Sequence, residues 1–166
     1  MHPQDTSVHI PLYHGYTGAL MGYTLGDADD AVWVNQRTWR LHSNGYASRY
    51  ETEGGRAQAV FLHREILGLP RPYNGLEGDH INRDRLDNRR ANLRIASRSE
   101  NQQNRPSYTG STSAYRGVHW KTSIGKWCAR VAYNGRQLHV GYFNDESAAG
   151  RAPAEARARL MPFATD

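Results

Sequence analysis

The chain is short of several things, and each shortage removes possibilities. It has one cysteine, Cys128, so no disulfide can form within the chain and no cysteine-rich zinc cluster is available. No apolar run approaches the length of a membrane span, and the N-terminus lacks the apolar core of a signal peptide. A soluble, cytoplasmic protein with no membrane partner and no small-molecule cofactor is expected. Lysine is nearly absent: of the 21 basic residues only Lys121 and Lys126 are lysines. Apolar residues make up 38% of the 166, which suits small modules better than one large core.

What is present is arginine. Its planar fork of donors matches phosphates and guanine edges, so the bias points towards nucleic acid. The charge is also uneven. Residues 1–62 carry 4 basic and 6 acidic side chains, 63–108 carry 9 and 6, 109–144 carry 5 and none, and 145–166 carry 3 and 4. A stretch of cations without a carboxylate is a candidate footprint on DNA.

An α+β chain in pieces is expected. A β-rich N-terminal region spans 1–62, with strand-like runs VHIPLYHGY, YTLG, AVWVNQ, TWRLHS, GYASRYE and QAVFLH separated by glycine-rich turns. Trp33 and Trp39 are its core candidates. Residues 57–68 (AQAVFLHREILG) read as a short helix ended by Gly68 and Pro70. Residues 106–114, rich in Ser, Thr and Gly, read as a linker. After it come three alternating runs, 115–120, 126–134 and 136–143, the last two joined by Asn134-Gly135, a strong hairpin signal. A helix should start at Asp145 and pack Ala148, Ala149, Ala152, Ala156 and Leu160 on the sheet, with Pro153 kinking or interrupting it.

Alternation also assigns faces. Trp127, Ala129 and Val131 share one side with Leu138 and Val140 and should meet the helix. Cys128, Arg130, Gln137 and His139 should point outward, with Arg116, His119 and Lys121 of the first run completing a basic surface.

The chemistry concentrates in GDHINRDRLDNRRANLRIASRSENQQN, residues 78–104. GDHIN reads as a strand, DRLDNR as a turn and ANLRIAS as a second strand. Ser97 and Glu100 form a capping-box pattern at the start of a helix. A neutral histidine can take a proton from water. A carboxylate and a carboxamide oxygen are hard ligands that suit Mg²⁺, with phosphate and water completing its shell. His80 is therefore the candidate base, and Asp79 and Asn101 the candidate metal ligands. Arg83, Arg85, Arg89, Arg90, Arg94 and Arg98 flank them as candidate phosphate contacts, several expected to pair instead with Asp84 and Asp87.

DHIN, DNRRANL and SENQQN, in that order after LHREILGLP, closely resemble the HNH endonucleases of phage and homing type, in the variant whose last histidine is asparagine. The resemblance implies a ββα-metal nuclease core over 63–105. It implies His80 as general base, and Asp79 and Asn101 as ligands of Mg²⁺ or another divalent ion such as Mn²⁺. Asn92 would orient His80 through a hydrogen bond and fix the turn. Gly78 departs from the pattern, where Val or another apolar residue is frequent, and is expected to loosen the strand slightly. The run YRGVHWKTSIGKWCARVAYNGRQLHVGYFNDESAAG resembles the AP-two/ERF DNA-binding domain. It implies a three-stranded sheet plus one helix over 115–162, with the sheet in the major groove of double-stranded DNA. The lost aromatic and the proline of Ala152-Pro153-Ala154 depart from that family's helix. The expected function is a metal-dependent DNA endonuclease. The rivals are a non-catalytic DNA-binding protein with a relict core, and an RNA-binding or structural protein.

Overall fold

In the computed structural model, residues 7–71, 73–104 and 110–164 are described. The chain divides into two compact units, Met1–Arg98 and Ser99–Asp166. Both mix sheet and helix, so the α+β expectation holds. Residues 106–109 of the expected linker lie outside the described residues, and 110–114 form no helix or strand. No helix among the described residues is long and apolar enough to cross a membrane.

The first unit is built on a five-stranded sheet in the order β2-β1-β3-β4-β5. Its strands are β1 (Ser7–Tyr13), β2 (Leu20–Asp27), β3 (Trp39–Leu41), β4 (Ala47–Glu53) and β5 (Arg56–Phe61). All neighbours are antiparallel except β1 and β3. Between β4 and β5, Gly54 and Gly55 both take positive φ, 56° and 76°. That is the backbone a two-residue primed turn demands, and glycine adopts it without steric cost.

Two helices pack on this sheet, and both correct the sequence reading. The run AVWVNQ is not a strand: Ala28–Val34 is helix α1. Val32 is 73% exposed while Val34 is fully buried. A strand would put both on one face. Asp29 and Asp30 favour the helix by lying in its first turn, where the macrodipole stabilises negative charge, and the Trp33 indole donates to Asp30 one turn back. The run 57–68 is helical only in its second half. Arg56–Phe61 pairs with β4, and helix α2 is confined to Leu62–Ile66.

A second, two-stranded sheet joins β6 (Leu76–His80) to β7 (Leu93–Ser97). It shares the core of the first sheet. Ile10, Leu12, Val34, Trp39, Ala47, Leu62, Ile66 and Leu93 form one buried cluster, with Val8, Trp33, Leu67 and Leu86 against it. The Trp39 indole donates to Val34 O, so the largest core side chain leaves no polar atom stranded.

The second unit begins within α3 (Arg98–Gln103) and contains β8 (Val118–Lys121), β9 (Lys126–Tyr133), β10 (Arg136–Phe143) and α4 (Glu146–Leu160). The sheet order is β10-β9-β8, antiparallel throughout. Asn134 and Gly135 make the expected two-residue turn, both at positive φ. Asp145 caps α4 by accepting from Ala148 N. Val118, Ala129 and Ala149 form the core, with Trp127, Val140 and Phe143 packed on it.

Several details of this unit differ from expectation. Proline does not interrupt α4: Pro153 is fully buried inside a continuous helix. The buried stripe is Ala149, Gly150, Pro153 and Arg157, rotated from the alanine stripe read in sequence, and Leu160 is 37% exposed. The Tyr115 ring fills the space over Gly150, where a Cβ would come within 2.4 Å of it. Leu138 pairs with Val131 near the turn but is 40% exposed, so it is not part of the buried core. Cys128 pairs with His119 and Tyr142 and so lies on the face away from α4, as the alternation has it, but it is buried there between its neighbours. Arg116 precedes β8; it donates to Gln103 O, and its own carbonyl accepts from Arg157.

Candidate functional site

The β6–β7 hairpin sets Asp79 opposite Arg94 and His80 opposite Leu93. Asp79 is buried, and Arg94 grips one of its oxygens, Oδ2, through both Nε and an Nη at 2.7 Å. Residues 81–92 form a long loop that is held at many points. Asn92 Oδ1 accepts from Asn82 N at 3.0 Å, and Asn92 Nδ2 donates to Asp87 O at 2.8 Å. Asn82 donates to Asp87 Oδ2, while Asn82 and Asp84 accept from the backbone two residues on, as asparagine and aspartate do in turns. Arg83 takes positive φ at the tight point. Burial is tolerated here because these polar groups are paired.

The same loop is stitched to the edge of β2. Leu25 N donates to Leu86 O and Asn88 N donates to Leu25 O. The Thr24 hydroxyl has one proton, which goes to Leu86 O at 2.6 Å. Its oxygen therefore accepts from Asn88 Nδ2, also at 2.6 Å. That arrangement turns Asn88 Oδ1 towards His80 Nε2, 3.2 Å away. A carboxamide oxygen only accepts, so in the neutral ring Nε2 carries the proton and Nδ1 is the basic nitrogen. Burial pulls the His80 pKa below the ordinary imidazole value, against opposing pulls from Asn88 and Asp79. The ring stays neutral near pH 7, as a base must.

The hydrogen bond expected from Asn92 to His80 is thus made by Asn88, and the Asn92 side chain is spent on the turn. Sequence reasoning missed Asn88 and Thr24. His63, on the short helix after β5, is a further residue of the site. The His63 ring lies 5.0 Å from that of His80 and 4.9 Å from that of Tyr46. Burial, with like charge from His80 and Arg64, pushes its pKa down to about 3, and its Nδ1 is buried with no hydrogen-bond partner. Gly78 is explained by this ring: a Cβ there would stand 2.6 Å from His63 Cδ2 and 3.1 Å from Leu67 Cδ1. Asn88, the asparagine bonded to Thr24, lies 64 residues away in sequence, a distance that no local motif reports.

The flanking arginines divide. Arg83, Arg85 and Arg98 are exposed, with Arg85 stacked 5.0 Å over the Tyr46 ring. Arg89 grips Asp87 with two nitrogens, and Arg90 grips Asp30 in the same way while also donating to Ile66 O. Arg94 is on Asp79. Asn101 lies on α3 in the second unit. On the sheet face away from α4, Lys121 donates to the Tyr142 hydroxyl and sits over its ring, His139 packs on the same ring, and Arg130 donates to Gln137. His119 shares this face by register.

Among the described residues no group of three or more His, Cys, Asp or Glu is placed to hold a metal ion. No curated protein and no solved structure matches the chain. Residues 70–103, the stretch that carries Asp79, His80, Asn92 and Asn101, match the model of the HNH endonuclease family.

Proposed function

We propose that the protein is a metal-dependent DNA endonuclease of the HNH type, hydrolysing phosphodiester bonds in double-stranded DNA. The observation that carries this reading is the His80 ring: buried, neutral, and held at Nε2 by Asn88 so that Nδ1 is the proton acceptor. A water placed against Nδ1 loses its proton to the ring as it attacks phosphorus. Asn92 acts on geometry, by holding the loop that presents His80.

The donor set fits a hard divalent ion. Asp79 offers a carboxylate and Asn101 a carboxamide oxygen, too few for an all-protein cage but enough for Mg²⁺ or Mn²⁺ that keeps its waters and takes a phosphate oxygen. When bound, that ion would neutralise charge on the phosphate and ease departure of the leaving oxygen. In this reading β6, β7 and α3 are the ββα-metal core, and the protein is of homing or phage type. The second unit is a reader of the AP-two/ERF kind, its face of His119, Lys121, Arg130, Gln137 and His139 against the major groove. A tethered reader raises the local concentration of the nuclease at its target.

One observation favours a second reading, a DNA-binding protein that does not cut. Arg94 already neutralises Asp79 and competes with a metal ion for it. A single assay decides. Supercoiled plasmid is incubated with wild type and His80→Ala, with Mg²⁺, with Mn²⁺ and with chelator. Nicked or linear product from wild type with metal alone, and at least about a hundredfold less from His80→Ala, is expected. Intact plasmid under every ion tested gives the case to the second reading.

A further inference from the structure

The face of the first sheet opposite its core carries a cavity that the proposed chemistry leaves unused. Arg40 and Ser48 are directly paired across β3 and β4. Trp39 and Arg49, their neighbours in sequence, turn to the other face, where Arg49 lies over the Trp39 ring. Alternation then puts Arg40, Ser48 and Tyr50 together on the outer side. With Gly15 and Tyr16 of the β1–β2 turn, and His42 and Ser43 after β3, they line a cavity of about 430 Å³.

The lining has one kind of chemistry. It contains no carboxylate, whereas two other cavities lined by this unit include Glu51 and Glu53 in one and Glu65 in the other. Arg40 has no carboxylate partner among the described residues. His42 Nδ1 accepts from Asn44 N, so Nε2 is that ring's donor. Ser48 is only 1% exposed, and its hydroxyl is buried without a hydrogen-bond partner. A buried hydroxyl left unpaired is destabilising, and a bound acceptor would relieve it. Arg40, His42 and Ser48 bring donors to one lining that offers no carboxylate to accept them, which is the complement of an oxyanion. Tyr16, 99% exposed, and Tyr50, 52% exposed, flank the site with ring faces that suit a sugar or base beside the anion.

The cavity is also close to His80. The rings of His42 and Phe61, Phe61 and Tyr46, and Tyr46 and His80 are 5.3, 5.8 and 5.7 Å apart, so His42 and His80 are at most about 17 Å apart. At roughly 3.4 Å per base step this is about five steps of duplex.

We infer that this cavity is a DNA-phosphate clamp, in which Arg40, His42 and Ser48 hold a backbone phosphate within about five base steps of the bond presented to His80. The inference rests on the reading of the protein as acting on DNA, but not on cleavage. It is tested by binding of the full chain to a fluorescent duplex in chelator, over a salt series. Arg40→Gln should weaken binding about tenfold and reduce the slope of log affinity against log salt by about one. Arg40→Lys should restore the slope and only part of the affinity, because the fork is lost. Ser48→Ala should weaken binding a few-fold at unchanged slope. Arg71→Gln, which removes the same charge from a residue paired with Glu51, should change neither. An unchanged slope in Arg40→Gln, or an equal change in Arg71→Gln, overturns the clamp. So does tight binding of inorganic phosphate alone with a duplex affinity indifferent to Arg40. Plasmid cleavage with an indifferent Arg40 sinks the clamp and leaves the nuclease standing. An Arg40-dependent duplex without cleavage does the reverse. A chain that binds no duplex ends both.

Discussion

At the scale of single residues, the site depends on a threonine far outside the recognised motif. Thr24 fixes the Asn88 amide, and the amide fixes which nitrogen of His80 is basic. Thr24→Val keeps the shape and removes the acceptor, so the amide is released to turn. We expect the turnover rate on plasmid to fall by about tenfold or more with KM nearly unchanged, and Thr24→Ser to keep wild-type behaviour. Nitrogen-15 spectra of the His80 ring should show Nε2 protonated in wild type and a mixture of tautomers in Thr24→Val. A purely structural role would leave the tautomer alone and lower stability instead. His63 makes a separate prediction. Unfolded, it takes a proton near pH 6.5; folded, it resists until about 3. The unfolded chain therefore binds the extra proton in between, and stability falls as pH drops through that window. The contribution is on the order of a few kcal/mol. His63→Leu should flatten urea-derived stability between pH 6.5 and 3, and leave it flat above.

At the scale of elements, legibility followed how local the deciding forces are. The β9–β10 hairpin was readable because Asn134-Gly135 carries its own turn geometry, and the cap at Asp145 because the acceptor lies three residues from its donor. The strands β6 and β7 were readable from the alternation and spacing of the motif. Misreadings arose where tertiary contact decides. Val32 and Val34 look alike in sequence, and only the core around Trp39 says which is buried. The run AQAVFLH suits a helix or a strand, and pairing with β4 settles it. The proline in α4 was given more weight than it carries, since packing of the helix outweighs one lost hydrogen bond. Contact between α2 and β6 supplies a test at this scale. Gly78→Val should cost about 1–3 kcal/mol in urea unfolding, because the branched side chain strikes His63 and Leu67. In a His63→Ala background the same change should cost much less. Equal costs in both backgrounds would mean that His63 is not what excludes a side chain there.

At the scale of the whole molecule, the count of cations overstates the charge available to DNA. Of nine arginines in 63–108, Arg71, Arg89, Arg90 and Arg94 are tied to Glu51, Asp87, Asp30 and Asp79. In 1–62, Arg49 is held by Glu51 and Glu65. Segment charge is additive and visible in a sequence; ion pairing between distant segments is not. Arg40, an ordinary arginine in the acidic stretch, stands beside a cavity with no carboxylate partner among the described residues for the same reason.

The loop that presents His80 is sewn to β2 through Thr24 and Leu25, well before the 70–103 stretch that the family model recognises. The recognised stretch is therefore smaller than the folded unit that holds His80 in place. Transplanted by itself, the 70–103 stretch would arrive without the strand that aims its histidine. On the proposed reading a cutting piece would need the first unit together with α3, which carries Asn101, and recombination that splits the gene between the codons of Thr24 and Asn88 would part His80 from the strand that orients it.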